Sequence, residues 1–202
     1  MFSRIALFVG IFSALITYPA FATPAASENP QGPSPKAEIQ STIDSIIKIV
    51  EANSEENQKT SRRSQLRELI NPRFNFAEMA KRSLGPKWNE ITAEQQQDFT
   101  GVFSELLART YLSKIETVKT GMVKVDSESV DAQKAVVKTT VTSKGDNFPI
   151  DYKLMISDGR WQVYDVVIEN IGLVANYRNE FAGIIRREAF TGLMDKLRQK
   201  VA

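Results

Sequence analysis

The spacing of apolar residues changes period twice along this 202-residue chain, and that restricts the fold class more than any single motif does. Up to about residue 118 the apolar side chains recur at helical spacing. Ile39, Ile43, Ile46, Ile47 and Val50 define a first amphipathic helix over 37–52, and a second over 61–70 is stopped by Pro72. A short helix over 76–84 ends at Gly85-Pro86, and Thr92 with Gln95 opens the longest one as a capping box. If that helix runs from 92 to 118 it is about 40 Å long, with Phe99, Phe103, Leu106, Leu107, Thr110 and Tyr111 on its buried face.

After Gly121 the period falls to two. Val123 and Val125, then Ala135, Val137, Thr139 and Val141, then Ile150, Tyr152, Leu154 and Ile156 alternate with polar residues, and Asp158-Gly159 turns the chain into a fourth strand over 161–169. In that last strand Trp161, Val163 and Val167 fall on one side and Tyr164, Val166 and Ile168 on the other. Asp165 shares the Trp161 side, where burial demands a hydrogen-bonding or charged partner. Helical spacing returns over 173–188 and 192–200. The fold class is therefore α+β: a four-stranded antiparallel sheet wrapped by N-terminal and C-terminal helices.

Residues 1–22 carry one charge, Arg4, followed by an apolar run of about a dozen residues and Ala20-Phe21-Ala22, the small-x-small form of a signal-peptidase site; a second cleavage option ends at Ala25. The run is shorter than the roughly 20 residues needed to span a bilayer. With no cysteine to carry a lipid anchor, a soluble periplasmic product is expected. Residues 23–36 hold four of the eight prolines and read as a disordered leader, which leaves 37–202 as a single domain. Without residues 1–22 the chain has 25 basic and 24 acidic residues, so no electrostatic binding of nucleic acid is expected. A monomer is the expected state.

The chain has no histidine and no cysteine. His/Cys zinc sites, serine triads, thiol chemistry and iron-sulfur clusters all lack their parts, and no cofactor or metal is expected. Carboxylate chemistry remains possible in principle. Glu51, Glu55, Glu116, Asp126 and Glu128 fall in polar stretches that read as solvated surface; Asp165 and Glu169, embedded in an apolar strand, are the exceptions. Phosphate loops and serine elbows are absent from the sequence.

The density of large apolar groups in residues 73–111 fits either a packed core or the wall of a binding cavity. Here the residues carry a resemblance. RFNFAEMA at 73–80, Leu84-Gly85, Trp88, TAEQQQDF at 92–99, Phe103, Leu106-Leu107 and Arg109-Thr110-Tyr111 form its first part. WQVYDVVIE at 161–169, Leu173, Asn176-Tyr177-Arg178, Phe181, Ile185, Gly192-Leu193 and Leu197 form its second. Together they resemble the toluene-tolerance family of MlaC-like periplasmic phospholipid carriers over roughly residues 65–200. Asn75 departs from the pattern, which commonly has an acid there.

The resemblance implies a lipid carrier and not an enzyme. Its ligand would be a phospholipid, and its partners an inner-membrane Mla-type ABC transporter complex and an outer-membrane lipoprotein complex. The apolar cavity would lie between sheet positions Val125, Val137, Val141, Tyr152, Leu154 and Val163 and helix positions Phe76, Met79, Phe103, Leu107, Tyr111, Tyr177 and Phe181. It would open by a pivot of the long helix against the sheet at Gly121, with Arg73, Lys81, Arg82 and Lys87 near the headgroup. Competing readings are a carrier of a hopanoid or other isoprenoid lipid, an envelope interaction module with a filled core, and an enzyme using Asp165 or Glu169.

Overall fold

A computed structural model describes residues 32–202. The expected signal peptide, and the expected leader up to residue 31, lie outside the described residues. Helix α1 is Pro35–Ala52, two residues into the stretch read as leader: Ser34 is its N-cap, its hydroxyl accepting from the Ala37 amide, and Pro35 is pre-set for the first turn. The other helices are α2 (Lys59–Ile70), α3 (Phe76–Leu84), α4 (Ala93–Ile115) and α5 (Leu173–Val201). The capping box opens α4 as read, with Thr92 and Gln95 each bonding the other's amide, and at 23 residues the helix is about 35 Å long. Asn75 caps α3 by accepting from the Glu78 amide at 2.9 Å. Its side-chain oxygen thus performs the capping an acid would perform there.

The sheet has five antiparallel strands in the order 1-2-3-4-5, where four were expected: β1 (Val123–Asp131), β2 (Lys134–Ser143), β3 (Asp146–Ser157), β4 (Arg160–Ile168) and β5 (Ile171–Gly172). The fifth strand is only two residues long, too short to show alternation, and is made by a two-residue turn at Glu169 and Asn170, both at positive φ.

A bulge reorders β4. Lys153 pairs with Asp165 but Leu154 pairs with Val163, so Tyr164 is the extra residue and the strand changes face there. Trp161, Val163, Val166 and Ile168 all reach the inner face, whereas Asp165 lies on the face of Lys153. This corrects the strict alternation that put Asp165 with Trp161. The buried Asp165 carboxylate accepts from Lys153 Nζ at 3.2 Å and from the Val174 amide at 3.1 Å, satisfying a free donor in the first turn of α5. The Phe74-Asn75 segment closes the same edge of β4: Phe74 bridges Val163, and the Asn75 amide donates to the Val163 carbonyl at 2.8 Å.

Helix α5 is the two C-terminal helices in one: its course breaks at Ala189 (φ 57, ψ −176) and folds back, with Lys200 paired to Glu180 and Lys196 to Glu188. Gly192 permits the reversal, because a Cβ there would come within 2.5 Å of the Glu188 Cβ.

Two cores result. Helices α3, α4 and α5 enclose an aromatic one, in which the Phe103 ring meets Tyr177 edge-on at 5.2 Å and Phe181 at 5.6 Å. The inner face of the sheet forms the other, covered by Ile39 and Ile43 of α1.

Replacing Asp165 by Ala leaves the buried Val174 amide without an acceptor and is expected to destabilise the fold by about 1–3 kcal/mol. Asp165→Asn keeps an acceptor oxygen and is expected to lose less. Urea midpoints at constant slope measure both, and an Asn variant as unstable as the Ala variant would contradict this role.

Candidate functional site

The thirteen expected lining residues divide between the two cores. Met79, Phe103, Leu107, Tyr177 and Phe181 are buried in the helical one, with Phe76 and Tyr111 half-buried against it. Val125, Val137, Leu154 and Val163 are buried under α1 in the sheet core, with Tyr152 half-buried against it. Val141 is half-buried on β2, paired with Val123 and Phe148. Phe74 packs against both cores and stacks on Phe76 at 5.7 Å, joining them.

The helix on the sheet is α1, not α4. The principal neighbours of α4 are α3 and α5, so a pivot of α4 directly against the sheet has no contact surface to work on. Helix α1 is buried more deeply at its start than at its end, where Glu51 accepts from the Thr120 hydroxyl and Arg62 donates to the Asn53 carbonyl. Its N-terminal half buries Pro35, Ile39, Thr42 and Ile43 and is tied down by Lys36, whose amide donates to Glu128 (2.7 Å), and by the Glu38–Arg73 ion pair (2.7 Å). In its C-terminal half Ile46, Ile47, Ile49 and Val50 are all only half-buried.

Tyr152 lies on the inner face of β3 and is incompletely packed. Its side chain keeps accessible surface, and burial pushes its phenol up to about 12. Its neighbours on that face include the half-buried Ile150 and Ile168, and the half-buried Leu173 of α5 and Ile47 of α1 pack against the same core. Sequence reasoning found Tyr152 but missed Ile47, Ile150, Ile168 and Leu173, although Ile47 and Ile150 sit at apolar positions of the periods already read.

Two further clefts are polar. One of about 480 Å³ is lined by Arg63, Arg67, Glu105, Arg109, Leu112 and Ser113, and another of about 340 Å³ by residues that include Glu51, Arg62, Glu116 and Lys119. Neither contains any of the thirteen residues. Glu116, read as solvated surface, is instead 9% exposed and paired to Arg62 and Arg63 at 2.9 and 2.8 Å. Its hydrogen bonds from Arg63 hold its carboxyl below the usual range against the opposing effect of burial. Arg73, Arg82 and Lys87, expected near a headgroup, are paired with Glu38, Glu78 and Glu90, and the Arg82 guanidinium lies 4.5 Å above the Tyr164 ring. Asp165 is engaged in holding α5, and Glu169 is exposed in the β4–β5 turn.

An apolar sheet face whose covering helix is only half-buried beyond Ser45 is suited to holding an apolar guest. Comparison with known proteins agrees with that class. Residues 40–199 match the family described as MlaC protein, and the chain belongs to that family. It is 20% identical over 177 residues to the intermembrane phospholipid transport system binding protein MlaC of Haemophilus influenzae, covering 84% of this chain and 83% of that one. It is 24% identical over 154 residues to toluene tolerance protein ttg2D of Pseudomonas putida, covering 74% and 72%. Among solved structures it resembles the phospholipid-binding protein of Ralstonia solanacearum, determined in complex with a phospholipid: TM-score 0.73, 27% identity, 82% of this chain and 96% of that one.

Burial, and next to it the neighbouring Tyr177, pushes Tyr111 up to about 12 as well. The unfolded chain sheds phenolic protons near pH 10. Both tyrosines therefore contribute stability that is complete below about pH 10 and lost as pH rises through about 12. Burial raises Tyr177 as well, so phenolate absorbance should show a late-ionising group of tyrosines, and Tyr152→Phe should remove one member of it. Ionisation of every tyrosine near pH 10 in folded protein would contradict the enclosed setting of Tyr152.

Proposed function

We propose that this protein is a periplasmic phospholipid carrier that encloses acyl chains in the sheet core and carries the lipid through water. In this reading residues 1–22 are a signal peptide removed on export, 23–36 a leader and 37–202 one lipid-binding domain. The observation that carries the proposal is the likeness, over 96% of its length, to a protein determined with a phospholipid bound. The family match over residues 40–199 and the incompletely packed apolar face around Tyr152 support it.

The physical demand explains the chemistry of the chain. Two acyl chains hold roughly 30 methylenes, and at about 0.8 kcal/mol each their exposure to water costs on the order of 20 kcal/mol or more. Burial answers that demand, and no reactive side chain is needed. The carrier is therefore not an enzyme, and it has no need of histidine or cysteine. Two chains need more room than one ring's surroundings provide, so the C-terminal half of α1, the less deeply buried half, rises to admit them, releasing the Thr120–Glu51 hydrogen bond, while the Lys36 and Glu38 contacts hold its start. Phe103, Phe181 and Met79, with Phe76 and Tyr111 against them, remain as the helical core, and the half-buried Val141 and Tyr152 are the members of the expected set that meet lipid.

The family also suggests the route. The carrier exchanges lipid with an outer-membrane lipoprotein complex on one side and an inner-membrane Mla-type ABC transporter on the other, and so maintains the lipid asymmetry of the outer membrane.

Native mass spectrometry of protein purified from the periplasm, followed by organic extraction, tests the reading. A two-chain phospholipid is expected, and added phospholipid at 100 times its Kd should stabilise delipidated protein by about 2.7 kcal/mol. A polycyclic isoprenoid in the extract would replace phospholipid as cargo. Protein that carries no lipid and gains no stability from it would overturn the carrier reading.

A further inference from the structure

The register of the sheet aligns one row of side chains across all five strands on the inner face: Val125, Thr139, Ile150, Ile168 and Ile171. Directly paired residues of antiparallel strands share a face, so the row is continuous. Thr139 does not interrupt it, because its hydroxyl is spent on the Ile150 carbonyl at 2.8 Å and the residue is 1% exposed. Four steps between neighbouring strands make the row about 19 Å long, longer than the roughly 15 Å of hydrocarbon in one bilayer leaflet.

Accessibility along this row is graded. Val125 and Thr139 are buried, Ile150 and Ile168 are half-buried, and Ile171 is 63% exposed. The half-buried Tyr152 and Leu173 flank the middle of the row. The other large exposed apolar residue among those described, Val130, begins a comparable row through Ala135, Leu154 and Val163, but these three are buried to 3% or less. That row is shut immediately inside its edge. The Ile171 row is the one that leads inward through incompletely packed side chains, toward Tyr152.

We infer that the β4–β5 edge is the portal through which an acyl chain enters and leaves, with Ile171 as its outermost contact and Ile168, Leu173 and Ile150 as the following ones. The inference rests on the carrier reading. The edge is built for passage. β5 is two residues long and pairs with β4 only at Val167 and Ile168, the Phe74-Asn75 segment covers β4 further along at Val163, and nearby Asp165 anchors the start of α5 through the Val174 amide. Ile171, between that anchor and the turn at Glu169 and Asn170, is left projecting.

The test is transfer of a fluorescent phosphatidylglycerol between mature protein and vesicles of phosphatidylethanolamine and phosphatidylglycerol, followed by stopped flow. A carboxylate at the portal must be passed by hydrocarbon, so Ile171→Asp is expected to slow transfer at least about tenfold while the amount bound at equilibrium stays within about twofold. Ile171→Ser, which removes the apolar contact without adding charge, is expected to slow it less. Val130→Asp, an equally exposed substitution on the shut row, is expected to leave the rate unchanged. Wild-type rates in both Ile171 variants, or equal slowing by Val130→Asp, would overturn the portal while leaving the carrier intact. Absence of transfer by the wild-type protein would remove the carrier reading and the portal together.

Discussion

The inner face of the sheet is apolar from one edge strand to the other, and an antiparallel sheet with such a face does not stand in water uncovered. Much of the remaining architecture follows from how that face is covered. The β4 bulge brings Trp161, Val163, Val166 and Ile168 onto it together, which makes the demand larger than simple alternation would. Helix α1 meets the demand with Ile39 and Ile43 and meets it less fully beyond Ser45, where Ile47 packs against the sheet core but stays half-buried. Apolar surface that a native chain neither exposes fully nor packs fully is what a carrier of apolar cargo requires.

The helical core has the opposite character. Phe99, Phe103 and Phe181 have no accessible surface and meet one another in stacked and edge-on contacts between 5.6 and 5.7 Å. Close packing of this kind transmits shape and resists opening. The protein thus pairs a close-packed helical body with a less completely packed sheet core, and Phe74, packed against both, joins them. The proposed carrier function assigns the cargo to the second and the scaffold to the first.

Much of the fold was legible because it follows from local periodicity and turn chemistry. The limits of α3, the capping box of α4, the four longer strands and the two arms of α5 were all readable from spacing, caps and glycines. The β4 bulge was not: nothing in the residues 161–168 announces where an extra residue is absorbed, and that one residue reverses the face of Asp165. β5 escaped because two residues carry no period, although Glu169-Asn170 ahead of Ile171 is compatible with a left-handed two-residue turn. The division of the candidate site residues between two cores was not legible. Apolar positions such as Phe103 and Tyr152 look alike as sequence, and only long-range packing puts one in the helical core and the other against the sheet core. That α1 and not α4 roofs the sheet is likewise a tertiary fact, since both helices offer an apolar stripe.

The most direct test of the account is site-specific photo-crosslinking, with a photoreactive amino acid placed at position 152 or at position 103 and the protein loaded with radiolabelled phospholipid. The account predicts strong labelling from position 152, on the incompletely packed inner face of the sheet, and little from position 103, inside the packed helical core. Labelling from 103 with none from 152 would contradict it and place the lipid among the helices.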